Sequence, residues 1–262
     1  MFEGADFEVL IETEAEIRVA VTEETDYDAE EWEELLSECE GKVLVVEGEA
    51  WDGLNFAGCK ALEVDLTALN MTNIEDVNGI FCDCEVQEVR IGSNLAEERD
   101  SLCGLFLDSK INRIVLTSSI AKEIYDVSNM FRESKVDSIN ISEVDFSDAI
   151  DLSYMFCNCE AESIILDGVR FDSATDFREM FRCCKARTIS MKNIVQFNLV
   201  DVSNMFRECE AILVDLTGFE VDEDNGTEEM FKNSKIELVR TDCEVIKAEA
   251  EAAGLSVDWV EQ

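Results

Sequence analysis

The chain has 262 residues, with 61 acidic against 21 basic side chains, a formal net charge of −40, and neither histidine nor proline. The missing histidine removes histidine-based acid–base and triad catalysis. The excess of carboxylates, with no large basic patch, disfavours direct contact with nucleic acid or an anionic membrane. At 47% hydrophobic residues the chain can bury a core, yet no apolar run is long enough to span a bilayer.

Residues 7–11 (Phe-Glu-Val-Leu-Ile) and 16–21 (Glu-Ile-Arg-Val-Ala-Val) alternate in polarity and predict two strands. Asp28 to Glu40 predicts an amphipathic helix with Trp32, Leu35, Leu36 and Cys39 on one face, and Gly41 comes next as its stop. Lys42 to Glu47 then predicts a strand. Residues 1–50 form an acidic ββαβ amino-terminal cap, a lid on the end of the main domain.

From residue 51 the sequence is periodic. Phe56, Phe81, Phe106, Phe131, Phe156, Phe181, Phe206 and Phe231 recur at a constant step of twenty-five, without insertion or deletion. Eight copies at a short constant period predict stacked coils over residues 51–242 rather than one closed globule. Counted from each Phe, position +3 is small: Cys59, Cys84, Ser109, Ser134, Cys159, Cys184, Cys209 and Ser234. Positions +5, +8 and +10 are apolar, and the +8/+10 alternation predicts a strand with those side chains inward. Positions +7 and +9 then face outward. Asp at −5 (Asp76, Asp126, Asp151, Asp176, Asp201) is placed to cap a short helical or 3₁₀ turn carrying −4, −1 and the Phe towards the core. Stacked strands about 4.8 Å apart make a rod on the order of 40 Å long. Position +4 reads Lys60, Glu85, Lys110, Lys135, Glu160, Lys185, Glu210, Lys235, a ladder of ion pairs that helps hold register.

The coils depart most from the consensus at 92–104 and 220–229. Asp222-Glu223-Asp224-Asn225-Gly226 has a superficial calcium-loop look but misses the ligand register, and reads as a solvated connection. After Thr241 the period ends. Residues 243–262 predict a carboxyl-terminal cap: a helix from Cys243 to Ala253, a stop at Gly254, and a strand from Leu255 to Val260.

The phrase Met-Phe-x-x-Cys-x-x-x-x-x-x-Leu, preceded by Asp-Val-Ser-Asn as in residues 201–216, resembles the BspA-type leucine-rich repeat, and within it the DUF285 subtype of bacterial surface proteins and lipoproteins. The resemblance spans residues 51 to about 242. It implies a leucine-rich-repeat-like solenoid with a parallel sheet on one face and α/β caps, and it implies adhesion and protein binding. It brings no catalytic residues. Many such relatives are secreted, whereas this sequence opens on Met1-Phe2-Glu3-Gly4-Ala5-Asp6 with no signal peptide.

Eleven cysteines are an odd number. The Cys82/Cys84 and Cys157/Cys159 pairs are three coils apart, roughly 14 Å, too far for one zinc ion. Free buried thiols suit a reducing compartment, and sequons at Asn70, Asn140 and Asn225 are no more than chance provides.

The resulting expectation is a non-enzymatic scaffold, cytoplasmic (or at the cell surface had an export signal been removed), monomeric, with no cofactor and no metal, no nucleic-acid contact and no membrane insertion. Its protein partner would dock on the sheet face through Arg113, Val115, Ser138, Asn140, Ser163, Ile165, Thr188, Ser190, Leu213 and Asp215. Two alternatives use the acidity itself. One is a nucleic-acid mimic that blocks a DNA-binding or defence protein; the other is adaptation to high salt. Residues 1–50 carry 18 acidic and 2 basic groups, while residues 101–200 carry 15 and 11. This distribution favours acidic ends that oppose end-to-end strand pairing over a charge row along the whole rod.

Overall fold

The structure, a computed structural model, describes residues 8–21, 29–51, 53–72, 74, 76–92, 100–116, 123–142 and 144–261. Phe7, Asp28 and most of the irregular stretch 92–104 fall outside them. β1 (Glu8–Glu12) and β2 (Glu16–Val21) pair antiparallel. α1 (Ala29–Glu38) leads into β3 (Val43–Glu49), parallel to β2. Every later pairing between described strands is parallel: β4 (Glu63–Leu66), the two-residue β5 (Leu69–Asn70) beside β3, β6 (Glu85–Ile91), β7 (Lys110–Leu116), β8 (Lys135–Asn140), β9 (Glu160–Ile165), β10 (Lys185–Ser190), β11 (Glu210–Asp215) and β12 (Lys235–Thr241). After α2 (Glu244–Ala252), β13 (Val257–Trp259) pairs with β12. The thirteen strands form one sheet. The register Glu160↔Lys185↔Glu210↔Lys235 shows that one period is one coil. The fold is a parallel β-solenoid of about eight coils, and the terminal elements continue its sheet.

The core is a set of columns. The eight phenylalanines are all buried. Neighbouring rings stack at 5.1–5.4 Å between centroids, with interplanar angles of 1–20°. Trp32 of α1 closes the amino-terminal end, standing edge-on to Phe56 at 5.7 Å and to Trp51 at 5.4 Å, while its indole N–H donates to Asn55 O at 2.7 Å. At the other end Ile246 and Ala250 of α2 are buried. The +3 column sits beneath the turns, and some of its donors reach Phe carbonyls: Cys84 Sγ to Phe56 O at 2.9 Å, Ser134 Oγ to Phe131 O at 2.6 Å. This explains why cysteine and serine interchange there. Burial pushes the Cys39 and Cys159 thiols up to about 12, so they remain protonated and poor nucleophiles at neutral pH.

The segment opposite the sheet corrects one detail of the expectation. It is a run of hydrogen-bonded turns, not a helical or 3₁₀ turn. In one coil Met155 N–H donates to Leu152 O, Cys157 N–H to Tyr154 O and Cys159 N–H to Phe156 O. The intervening amides point along the rod: Val127, Asn129, Phe131 and Glu133 donate to Asp151, Ser153, Met155 and Cys157 of the next coil at 2.8–3.1 Å. Amides committed to the neighbouring coil cannot turn back to close helical bonds. The −5 aspartates do accept from the turn, each from the N–H two residues on, as in Asp126 to Ser128 at 2.9 Å and Asp151 to Ser153 at 2.8 Å.

This geometry needs two left-handed residues per coil. At −2 they run from Gly79 and Gly104 through Asn129, Tyr154, Glu179 and Asn204 to Glu229; at +2 they run from Gly58 through Asp83, Asp108, Glu133, Asn158, Cys183 and Glu208 to Asn233. A non-glycine residue held there costs on the order of 1–3 kcal/mol, and glycine regains part of it after its own entropy cost. Glu133→Gly (φ 61°) is therefore expected to raise stability by roughly 0.5–1 kcal/mol, and Glu133→Val to lower it. Urea midpoints that move in the same direction for both variants would refute the assignment.

Candidate functional site

The inward positions +5 and +8 are three apart, so the strand cannot be a uniform two-residue alternation. Two residues, +6 and +7, lie between them on the outside, and the strand bends there. Strand pairing skips +6 at Gln87, Asp137, Arg187 and Ile212. At the first of these, Leu62 O accepts from both Gln87 N–H (3.0 Å) and Glu88 N–H (3.3 Å), the two-against-one pattern of a bulge. Repeated from coil to coil, the bend folds the sheet face inward into a trough that runs along the rod.

The trough has a volume of about 1450 Å³ and extends from Glu40 and Gly41 to Lys185. One wall is the +4 row, Lys60, Glu85, Lys110, Lys135, Glu160 and Lys185. The floor includes Ala61, Val86, Val136 and Ala161, and the far side carries Asn112, Asp137, Ser138, Glu162 and Ser163. A shallower depression of about 410 Å³ continues it over Ala186 and Ala211 to Lys235. Among the lining residues four lysines face five carboxylates, a nearly balanced surface in a molecule of net charge −40.

The +4 ladder forms in three pieces, Glu85 with Lys110, Glu160 with Lys135 and Lys185, and Glu210 with Lys235. Lys135 and Lys185 reach Glu160 at 2.9 and 3.2 Å, and Lys235 reaches Glu210 at 2.5 Å. Hydrogen bonds from Lys135 and Lys185 hold the Glu160 carboxyl below its usual range, and Lys235 does the same to Glu210. The one like-charged step is Lys110 beside Lys135. Each turns away, Lys110 to Glu85 at 3.8 Å and Lys135 to Glu160. There the pairing of β7 with β8 stops after Lys110↔Lys135 and Ile111↔Val136.

Of the ten residues expected on the docking face, Ser138 and Ser163 line the trough. Arg113 is exposed and paired with Glu88 at 3.1 Å, and Asn140 is exposed. Val115, Ile165, Thr188 and Leu213 are half-buried rather than standing free. Ser190 and Asp215 are buried, contrary to expectation. Ser190 Oγ donates to Asp167 Oδ1 of the preceding coil at 2.6 Å, and Asp215 Oδ1 accepts from Thr217 Oγ1 at 2.7 Å. Position +9 is where the chain leaves the strand, and its polar atoms are consumed in fastening that corner. The +6 row, absent from the expected face, is the exposed one. The odd spacing of +5 and +8 was the signal for it.

These features define the class: a repeat-built β-solenoid, one coil to each period, held by aromatic and thiol columns. Within that class the chain belongs to the family described as "Mycoplasma protein of unknown function, DUF285", whose model matches residues 54–170 and 125–239. No curated protein and no solved structure matches it.

Proposed function

We propose that the protein is a non-enzymatic scaffold that holds an extended segment of a partner protein along the sheet-face trough. The observation that carries this reading is the trough's continuity through successive coils, with a charged ladder on one wall and a floor of small side chains. It is open, long and charge-balanced, whereas sites for small molecules are enclosed, mostly apolar and of about 300–1,000 Å³. The balanced lining suits a polypeptide of mixed charge better than a polyanion or a polycation. The likeness of the repeat phrase to BspA-type surface repeats, whose members bind proteins, agrees with it.

The test is selection of linear peptides from a displayed library against the whole chain, then measurement of their affinity for Ser138→Trp and Ser163→Trp. Both substitutions put an indole into the trough from positions outside the core. Selected peptides are expected to lose about tenfold or more in affinity for each variant, with unchanged thermal unfolding. Peptides that bind both variants as well as the parent chain would rule the trough out.

A further inference from the structure

A second surface is independent of the trough. Tyr125 (48% exposed), Ile150 (44%) and Val200 (59%) are three of the nine large apolar side chains that stand out in solvent among the described residues, and they recur at one place in the coil. Tyr125, Ile150 and Val200 occupy position −6, with half-buried Thr175 completing the row. Their spacing is fixed by the backbone: Ile150 N–H donates to Tyr125 O at 2.8 Å, Thr175 N–H to Ile150 O and Val200 N–H to Thr175 O, both at 3.1 Å. Carboxylates flank the row. Asp126, Asp151, Asp176 and Asp201 stack in register along the whole of one side, and on the other Glu123 and Asp148, joined by the Glu123 N–H to Asp148 Oδ2 bond, stand beside its first two coils, where Ser173 and Asn198 follow. The nearby Arg178 is committed to Asp176 and Asp201.

We propose that this ridge docks a basic amphipathic helix from a different protein, laid along the rod axis. Three coil steps from Tyr125 to Val200 span about 14 Å at about 4.8 Å per step. A helix places i, i+3, i+7 and i+10 on one face over about 15 Å. Same-face residues of an extended strand recur about every 6–7 Å and fall out of step. The acidic margins call for lysine or arginine on both flanks of the helix's apolar stripe. A second copy of this chain does not satisfy that demand: its helices among the described residues, Ala-Glu-Glu-Trp-Glu-Glu-Leu-Leu-Ser-Glu and Glu-Val-Ile-Lys-Ala-Glu-Ala-Glu-Ala, are acidic. An anionic bilayer is repelled by the same margins.

The probe is a synthetic peptide of about twenty residues with a leucine stripe at helical spacing and lysine on both flanks. Its control is a scrambled peptide of identical composition. Binding to the 262-residue chain is measured by fluorescence anisotropy at about 0.15 M salt, where loose attraction between polyions is largely screened. The helical peptide is expected to bind at least about tenfold more tightly than the scrambled one. The Ile150→Asp/Val200→Asp double variant should lose that advantage while unfolding at the same temperature as the parent, and Ser138→Trp should keep it. Equal binding of the two peptides, full binding to the double variant, loss on Ser138→Trp, or self-association that the double variant abolishes would each overturn the proposal. Loss on Ser138→Trp would locate the peptide in the trough instead.

Discussion

Phe156→Ala is expected to cost about 3–5 kcal/mol of unfolding free energy, the range for truncating a fully buried aromatic. Phe156 is completely buried and stacks on Phe131 at 5.3 Å and 2°, and on Phe181 at 5.1 Å and 7°. Each such pair contributes roughly 0.5–1.5 kcal/mol beyond the apolar area it hides. Neighbouring coils hold Phe156 on both sides in one rigid column, so the walls cannot close over the void. Because each coil touches only its neighbours, the loss falls on two interfaces in the middle of the rod. A single urea transition should therefore separate into two, with hydrogen exchange opening first around β8 to β10. Phe156→Leu keeps most of the volume but not the ring faces, and should cost only about 1–2 kcal/mol. A loss below about 1 kcal/mol for the alanine variant would mean that the column is not what couples the coils.

The solenoid is legible in the sequence because its cause is periodic. A phenylalanine at the same place in every period, with a small donor three places later, has one packing solution, and Phe56 to Phe231 occupy it. Elements with a local signature are legible too: Trp32, Leu35 and Leu36 on one face of α1, and Cys39 just past its end, are all buried, as that face requires. Features set by contact between coils are not. The turns look helical in sequence because Asp126 to Phe131 has a capping residue and helical spacing of its apolar side chains. Nothing within one coil says that alternate amides belong to the next. The left-handed columns do leave a trace, since Gly58, Asp83, Asp108, Asn158 and Asn233 share one position, and Gly, Asn and Asp are the residues that tolerate it. The expected docking face fails at Ser190 and Asp215 because +9 is the corner where the chain leaves the strand. Their hydroxyl and carboxylate are spent on Asp167 and Thr217, contacts that strand periodicity does not encode.

If the coil is the unit of register, length should matter more than composition. Removing residues 164–188, one full period, joins Ser163 at +7 to Ile189 at +8. The hybrid strand keeps Lys135 beside Glu160 and leaves Phe156 directly under Phe206. It does set Glu160 beside Glu210, a like-charge contact costing about 0.2–1 kcal/mol, softened by Lys135 and Lys235 on their outer sides. This protein, one coil shorter, is expected to fold cooperatively, with a modestly lower urea midpoint and a slope reduced in proportion to the surface it no longer buries. Removing residues 164–187 deletes nearly the same side chains but leaves one residue too many in the strand. Ile189 and Met191, both buried, would turn to solvent and Ser190 would turn inward, because a slip of one residue exchanges the faces of a strand. The hybrid strand is paired on both sides, so the error cannot escape at an edge. The coils from β11 onward are expected to lose hydrogen-exchange protection, and the chain to unfold well below the full-period deletion. Equal stability of the two deletions would show that the coils are not locked in register by their inward columns. The trough and the ridge, which need every coil in phase, would lose their basis with it.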